Sequence, residues 1–317
     1  MRRCPVGEKR YGEDMNDLSC VLCGGKRFET FFERSDRRLV VRCMSCGLTQ
    51  VTPRPSKKEV SEFYHEDFDH FAPYIDHIEV HRKYFREKVE EIHQRITNRY
   101  EYANQNKNSY IRKKIRNSMI TLLDIGCALG VLLEEAQKQG IEAYGIDVSH
   151  DAVAYCKKRG LGVFQGTLTT ARLPKEKQFD MITAFEVIEH EQNPLGMMKR
   201  VQTLLKNGGI AVLTTPNHNT FWRKIMGKWW VGYRHAEHLT FWNLRSLKEL
   251  MKRSGFTEVT VERDTPRPFP LSFLFTRAAD YFPWAAWILK PIGNILKSLN
   301  IVNPINPWDD IIAIGVK

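Results

Sequence analysis

The stretch Leu122-Leu123-Asp124-Ile125-Gly126-Cys127-Ala128-Leu129-Gly130 constrains the fold of this chain more than any other. An apolar run from Ile120 ends in an acid and two glycines, and a helical pattern begins at Val131. This reads as a buried strand, a tight turn and a helix N-terminus, an arrangement that meets a nucleotide-like ligand at the carboxyl end of a parallel strand. The sequence after it repeats the alternation. Strands are expected at Ile120–Asp124, Glu142–Asp147, Leu161–Gln165, Phe179–Ala184 and Gly209–Thr215, with helices at Val131–Gln139, Asp151–Arg159 and Pro194–Lys206. Strands and helices alternating at this spacing predict an α/β fold, a parallel Rossmann-like sheet with right-handed crossovers. Leu244–Ser254 reads as a further helix, and Thr257–Arg263 and Asp310–Val316 as late strands.

Four of the seven cysteines fall in two pairs, Cys20-Val21-Leu22-Cys23 and Cys43-Met44-Ser45-Cys46, 19 residues apart. Each pair can present two thiolates from one knuckle turn, and two knuckles complete a tetrahedral zinc site. Residues 27–32 and 38–42 read as a hairpin between them. Four thiolates leave no open position, so the zinc is expected to be structural. Cys4 has no part in this scheme. Pro53-Arg54-Pro55 ends the ribbon, and Tyr64, Phe68, Phe71 and Tyr74 follow at near-helical spacings that suit packing. His81–Tyr102 reads as a helix, broken at Asn104–Ser109. The expected organisation is a zinc-ribbon region over 1–70, a helical linker over 71–118 and the main domain over 119–317, with 265–308 as a cap or lid.

Asp147 closes the second strand of the domain, 21 residues after Gly126, where an acid can accept both hydroxyl protons of a ribose. Ser149 can cap the helix that follows. A dinucleotide site asks for G-x-G-x-x-G at a helix N-terminus facing a pyrophosphate. Here Gly126 and Gly130 flank Ala128, the third glycine is missing, and Asp124 would repel a pyrophosphate but suits an ammonium. A nucleoside that carries an amino acid fits, which points to S-adenosylmethionine.

With these residues in view, 119–265 resembles the class I S-adenosylmethionine-dependent methyltransferases. The matching pieces are Leu123–Gly130, Gly145-Ile146-Asp147-Val148-Ser149, Phe179-Asp180 with Phe185-Glu186-Val187-Ile188-Glu189-His190, and Leu205-Lys206-Asn207-Gly208-Gly209. The resemblance implies a seven-stranded sheet and cofactor contacts from Asp124, Gly126, Cys127, Gly130, Asp147, Val148, Gly166, Thr167, Leu168, Phe185 and Glu186. Two positions depart from the family pattern: Ala128 stands where glycine is usual, and Thr167 replaces a third-strand acid that often meets adenine. The ribbon, with Cys43–Leu48, Pro53-Arg54-Pro55 and Phe63-Tyr64, resembles zinc-ribbon methyltransferases of surface-polysaccharide and deoxysugar pathways. The sugar C-methyltransferases of that group carry a further large C-terminal domain that this sequence does not show.

Methyl transfer to a hydroxyl or carbon needs a base with a pKa near neutrality, most often histidine. His190, His235 and His238 are the candidates. His238 lies in Arg234-His235-Ala236-Glu237-His238-Leu239, after the fifth strand of the domain, and the Glu237-His238 pair resembles the base-bearing segment of sugar methyltransferases. Each histidine can alternatively fix its loop. Were 186–190 helical, Glu186, Glu189 and His190 would share one face. That triplet resembles the cation site of metal-assisted O-methyltransferases of quinone biosynthesis; in metal-free relatives the same string shapes the methionine end of the pocket.

The formal charge of +11 is spread evenly: residues 1–118 hold 24 basic against 18 acidic side chains, and 119–317 hold 24 against 19. Diffuse charge is weak evidence for nucleic acid, which ranks behind a sugar, glycan precursor or related small acceptor. An RNA methyltransferase that grips its substrate with the ribbon, and a non-catalytic cofactor-binding module, are the competing readings. Phe185-Glu186 lacks the Asn/Asp-Pro-Pro pattern of exocyclic amine methylation, and the intact Asp124, Gly126, Gly130 and Asp147 argue for catalysis. The aromatic and basic residues of 221–234 suit sugar rings, bases or a packed lid. No apolar signal segment follows Met1-Arg2-Arg3, and charges and prolines interrupt the apolar 269–287 stretch. A cytoplasmic enzyme is expected, with peripheral membrane contact through 269–300.

Overall fold

In the computed structural model, residues 18–56, 58–60, 71–105, 119–174, 177–265, 270–281, 283–299 and 309–317 are described. Cys4, Tyr64, Phe68 and the 106–109 part of the expected helix break lie outside them.

The first sheet is antiparallel. Strands β1 (Phe28–Glu33), β2 (Leu39–Cys43) and β3 (Thr49–Thr52) form the ribbon. β3 then pairs with a strand almost two hundred residues later, Thr49 against Phe241 and Gln50 against Thr240. The ribbon is therefore not a separate bead. Cys20, Leu22, Cys43, Cys46 and Leu48 pack into one apolar core with Leu123, Leu213, Trp242 and Leu247 of the main domain.

Next come α1 (Ala72–Asp76) and α2 (Ile78–Gln105). The helix expected at 81–102 runs three residues further at each end. The segment expected as a linker packs into the domain. Tyr84, Phe85, Val89, Ile92 and Ile96, at helical spacing, bury one face of α2 against a second apolar cluster that includes Leu122, Leu132 and Met181. Arg82 and Arg86 reach Glu135 at 2.8 Å each, and Lys88 meets buried Asp264 at 2.7 Å. Tyr74 stacks on His81 with ring centroids 4.1 Å apart, so this member of the aromatic stripe serves packing.

The second sheet has the elements β4 (Thr121–Ile125), α3 (Val131–Lys138), β5 (Glu142–Asp147), α4 (His150–Lys158), β6 (Gly162–Gln165), β7 (Phe179–Phe185), α5 (Pro194–Leu204) and β8 (Leu205–Pro216). After β8 come the short helix α6 (Phe221–Met226), β9 (Thr240–Phe241), α7 (Leu244–Arg253), β10 (Thr257–Arg263), α8 (Leu271–Tyr281), α9 (Ala286–Leu299) and β11 (Asp310–Val316). The sheet order is β10-β11-β8-β7-β4-β5-β6, with β4 to β8 parallel and β11 antiparallel to both neighbours. β4, β7 and β11 are buried at every residue, as expected for strands covered on both faces. This is the seven-stranded Rossmann-like arrangement. The strand that the sequence suggests at 209 begins at Leu205, immediately after α5, where Phe179 pairs with Leu205 and Lys206 holds Asp180 at 2.6 Å.

Candidate active site

The donor turn lies between β4 and α3. Gly126 and Gly130 both have φ of +74°, a left-handed backbone that glycine adopts without strain. A Cβ on Gly126 would come within 2.5 Å of Val187 Cγ2, so the segment after β7 sits directly on the turn. Ala128 also has positive φ, at 45°, and its N–H donates to Asp147 Oδ2 at 2.8 Å. The other oxygen of Asp147 accepts from Ser149 N at 2.8 Å, while the Ser149 hydroxyl accepts from Ala152 N and caps α4. Ser149 thus takes the capping role and leaves Asp147 at the strand end. Burial raises the Asp147 pKa, partly offset by these backbone donors. Asp124 is 4% exposed and accepts from Thr183 Oγ1 at 2.7 Å. Burial, with the charge of Asp147 nearby, pushes its carboxyl up to about 7.

The other expected donor contacts cluster at the same edge of the sheet. Gly166, at φ +129°, follows β6, and Thr167 hydrogen-bonds Thr170. Leu168 is buried and Val148 is exposed. The Cys127 side chain turns inward beneath Gly145, so only its backbone belongs to the turn. Phe185 packs edge-on against Tyr84 and tilted against Phe85.

The helix considered for 186–190 does not form. Glu186 has φ of +56°, residues 188–190 make a turn, and Thr214 Oγ1 donates to Glu186 at 2.9 Å. Glu186, Glu189 and His190 therefore do not share a helical face. Glu189 instead joins His190 and His238, their potential ligand atoms lying within 4.8 Å of one another. Glu189 is 2% exposed and accepts from Thr215 Oγ1 at 2.9 Å.

His238 is brought there by the backbone. The N–H groups of Leu239 and Thr240 both donate to the Glu189 carbonyl, at 2.8 and 3.1 Å. Its ring stands edge-on to His190 at 4.9 Å and stacks with His235 at 4.9 Å. Nδ1 lies 3.0 Å from the Gly232 carbonyl oxygen, which can only accept, so Nδ1 carries the proton and Nε2 keeps its lone pair. Burial, then the neighbouring His190 and His235, hold the His238 pKa well below the ordinary imidazole value, which departs from the near-neutral pKa expected of a base: the ring stays unprotonated, at the cost of basicity. His235 is exposed and pairs with Glu237 at 3.1 Å. Burial raises the Glu237 pKa, but the His235 contact outweighs it, for a net value of about 2.

Two ribbon arginines hold this loop. Arg34 donates to the carbonyls of His235, His238 and Ala236 at 3.1, 2.9 and 3.0 Å, and also pairs with Asp36. Arg54 donates to the carbonyls of Leu239, Glu191 and Gln192 at 2.9, 2.9 and 2.8 Å. Below them Cys20, Cys23, Cys43 and Cys46 bring their sulfurs within 4.8 Å of one another, with two contacts of 3.5 Å. A tetrahedral ion with bonds of about 2.3 Å to sulfur sets ligands roughly 3.8 Å apart, so the cluster fits zinc. None of the four is in a disulfide.

A family of proteins defined by a methyltransferase domain matches residues 82–261, more than half of the chain. The chain belongs to that methyltransferase family. Among curated relatives it is 33% identical over 119 residues to a ubiquinone biosynthesis O-methyltransferase of Cereibacter sphaeroides, covering 35% of this chain and 48% of that one. The corresponding protein of Histophilus somni is 31% identical over 136 residues, covering 40% and 54%. This chain spans about half the length of these relatives. Among solved structures, an S-adenosylmethionine-dependent methyltransferase of Thermotoga maritima, described as a possible histamine N-methyltransferase, superposes with a TM-score of 0.50 at 15% identity. It covers 81% of this chain and 99% of that one, and shows the shared fold.

Within this methyltransferase frame, Asp124, Asp147, the glycine turn and the three histidines expected from the sequence lie along one edge of the sheet. Thr183 and Arg34 have no place in the sequence expectations, and Arg54 appears there only in the stretch that ends the ribbon. Thr183 becomes relevant only when β7 lies beside β4. The arginines act across gaps of 137 to 204 residues, so no local pattern reports what they bind.

Proposed function

We propose that the chain transfers a methyl group from S-adenosylmethionine to a hydroxyl or carbon of a sugar, glycan precursor or related small metabolite. The donor residues fit that cofactor: a buried carboxylate at Asp124 for an ammonium, a strand-end carboxylate at Asp147 for ribose hydroxyls, and a glycine turn too close to Val187 to admit a side chain. Gly166 to Leu168 would border the adenine, and Glu186 would shape the methionine end. The cofactor would supply an electrophilic methyl on a good leaving group. The protein must orient the acceptor, exclude water and take up a proton.

The observation that carries the reading is the state of His238. Its Nδ1–H is committed to the Gly232 carbonyl, and its neutral Nε2 is available as a base in the loop that closes over the segment after β7. We assign His238 as the base, His190 and Glu189 as its neighbours on the acceptor side, and His235 with Glu237 as the outer wall. The O-methyltransferase activity named for the relatives supports a hydroxyl acceptor, and the ribbon resemblance supports a sugar. Zinc is assigned a structural role on Cys20, Cys23, Cys43 and Cys46.

A methyl-transfer screen with labelled cofactor against nucleotide sugars, glycan extracts, phenols and RNA tests the proposal. Label is expected in a small hydroxylated acceptor. Label in RNA alone, or in nothing, would contradict it.

A further inference from the structure

Two segments beside the candidate active site, the first of which supplies the Gly232 carbonyl to His238, leave the sheet at one edge. The first, 217–234, follows β8; the second, 264–309, joins β10 to β11. β11 starts where β8 ends, with Asp310 paired to Pro216, and Asn217 N–H donates to the Asp309 carbonyl at 3.2 Å. Both segments therefore rise from the carboxyl rim of the parallel strands, the rim that carries the donor turn and His238.

Within the second segment the described residues form a helical hairpin, α8 and α9, with an inner and an outer face. Gly293 lets α9 approach α8: a Cβ there would lie 3.1 Å from Thr276 Cγ2 and 3.3 Å from the Ser272 carbonyl oxygen. With that side turned inward, the outer side of α9 is apolar where a helix of a water-soluble surface is polar. Trp287 is 75% exposed, Ile288 44% and Ile295 64%, and Trp284 just before the helix is 78% exposed. These positions, at spacings of three, one and seven, form one stripe. Lys290 and Lys297 lie two turns apart beside it, and residues 281–308 contain no acid. The first segment repeats the chemistry. Phe221, Trp222, Ile225 and Trp229 are exposed, Arg223, Lys224 and Lys228 lie among them, and no acid occurs from Gln192 to Ala236.

Exposed tryptophans with cations and no acids suit the boundary of an anionic bilayer, where the rings enter the headgroup region and the lysines stay among phosphates. Among the described residues no helix is long and apolar enough to cross a membrane, so the contact is with one surface. We propose that the rim formed by 217–234 and by the α8–α9 hairpin docks on an anionic lipid bilayer, turning the mouth of the candidate active site toward the membrane. Charge complementarity chooses lipid over a second copy of the chain, because two such rims would bring cations against cations.

The test is co-sedimentation of the full-length protein with vesicles of phosphatidylcholine alone or mixed with phosphatidylglycerol, at low and high salt. Binding is expected only with phosphatidylglycerol and should weaken as salt rises. Trp287→Ala/Ile288→Ser and Lys290→Glu/Lys297→Glu should each lower the partition about tenfold or more. Both pairs are on the surface and none of the four residues belongs to the donor site, so thermal unfolding and S-adenosylmethionine binding should be unchanged. The proposal is overturned if the wild type does not bind, or if neither pair alters binding. It is also overturned if, without vesicles, sedimentation velocity shows a dimer that Trp287→Ala disperses, or if the rim retains RNA and not lipid. None of these results bears on methyl transfer itself.

Discussion

Asp124 is a buried acid whose ionisation opposes folding until a cation arrives. Its folded pKa of about 7 lies above the unfolded value of 3.8. Between those values the unfolded chain is ionised while the folded chain keeps its proton, so stability falls as pH rises through the window. The full shift corresponds to on the order of 4 kcal/mol at pH 8. Asp124→Asn should therefore raise the ligand-free melting temperature at pH 8, gain little at pH 4, and weaken S-adenosylmethionine binding. For the wild type, donor affinity should drop roughly tenfold from its plateau by pH 6, because one unit below the pKa leaves about a tenth of the acid ionised. Calorimetry in two buffers of different ionisation enthalpy should then report one proton released on binding. His238 has the opposite sign. Its depressed pKa keeps the ring neutral in acid, so kcat at saturating donor, where the Asp124 effect on affinity is removed, should lack an imidazole limb near 6.5. His238→Gln should lower kcat by about 10²–10⁴ and leave donor affinity nearly unchanged. At this scale the acids, glycines and histidines are legible because each needs only one neighbour in sequence or one strand end to make sense. The Glu186–His190 triplet is not legible, because positive φ at Glu186 ends the helical geometry on which the reading depended.

Among the elements, three strands are read to the residue: β5, β10 and β11 begin and end where the sequence predicts, at Glu142–Asp147, Thr257–Arg263 and Asp310–Val316. The pairing of β3 with β9 is not readable, since two-residue strands carry no periodicity and the partners are far apart. This pairing, with Arg34, sets the position of the loop that carries His238. Arg34→Ala would leave three carbonyls short of a donor, at about 1–3 kcal/mol for each that stays buried. The expected result is a folded protein with kcat reduced about tenfold or more, donor affinity retained, and faster hydrogen exchange at Leu239 and Thr240. Arg34→Lys should rescue little, because an ammonium lacks the planar fork that spans three carbonyls. Unchanged turnover in both variants would show that the loop holds itself.

For the whole molecule, the segments expected as ribbon, linker and domain are in contact with one another. The ribbon shares a sheet and a core with the main domain, and α2 lies along α3. Sequence separates them because composition changes at the prolines near 53 and at the polar stretch near 106, and neither change reports packing. With the proposed function, the continuity predicts a division of labour: the turn and Asp147 would bind the donor, while the ribbon, with zinc on its four cysteines, would order the acceptor side. Cys43→Ser/Cys46→Ser should lose zinc and turnover together but keep donor binding, as read by metal analysis and calorimetry. The most direct measurement of the central claim is calorimetric titration of S-adenosylmethionine into the wild type and into Asp147→Ala. One site per chain in the wild type and no measurable binding in Asp147→Ala is the predicted result. No binding to the wild type, or equal affinity in the two proteins, would contradict it.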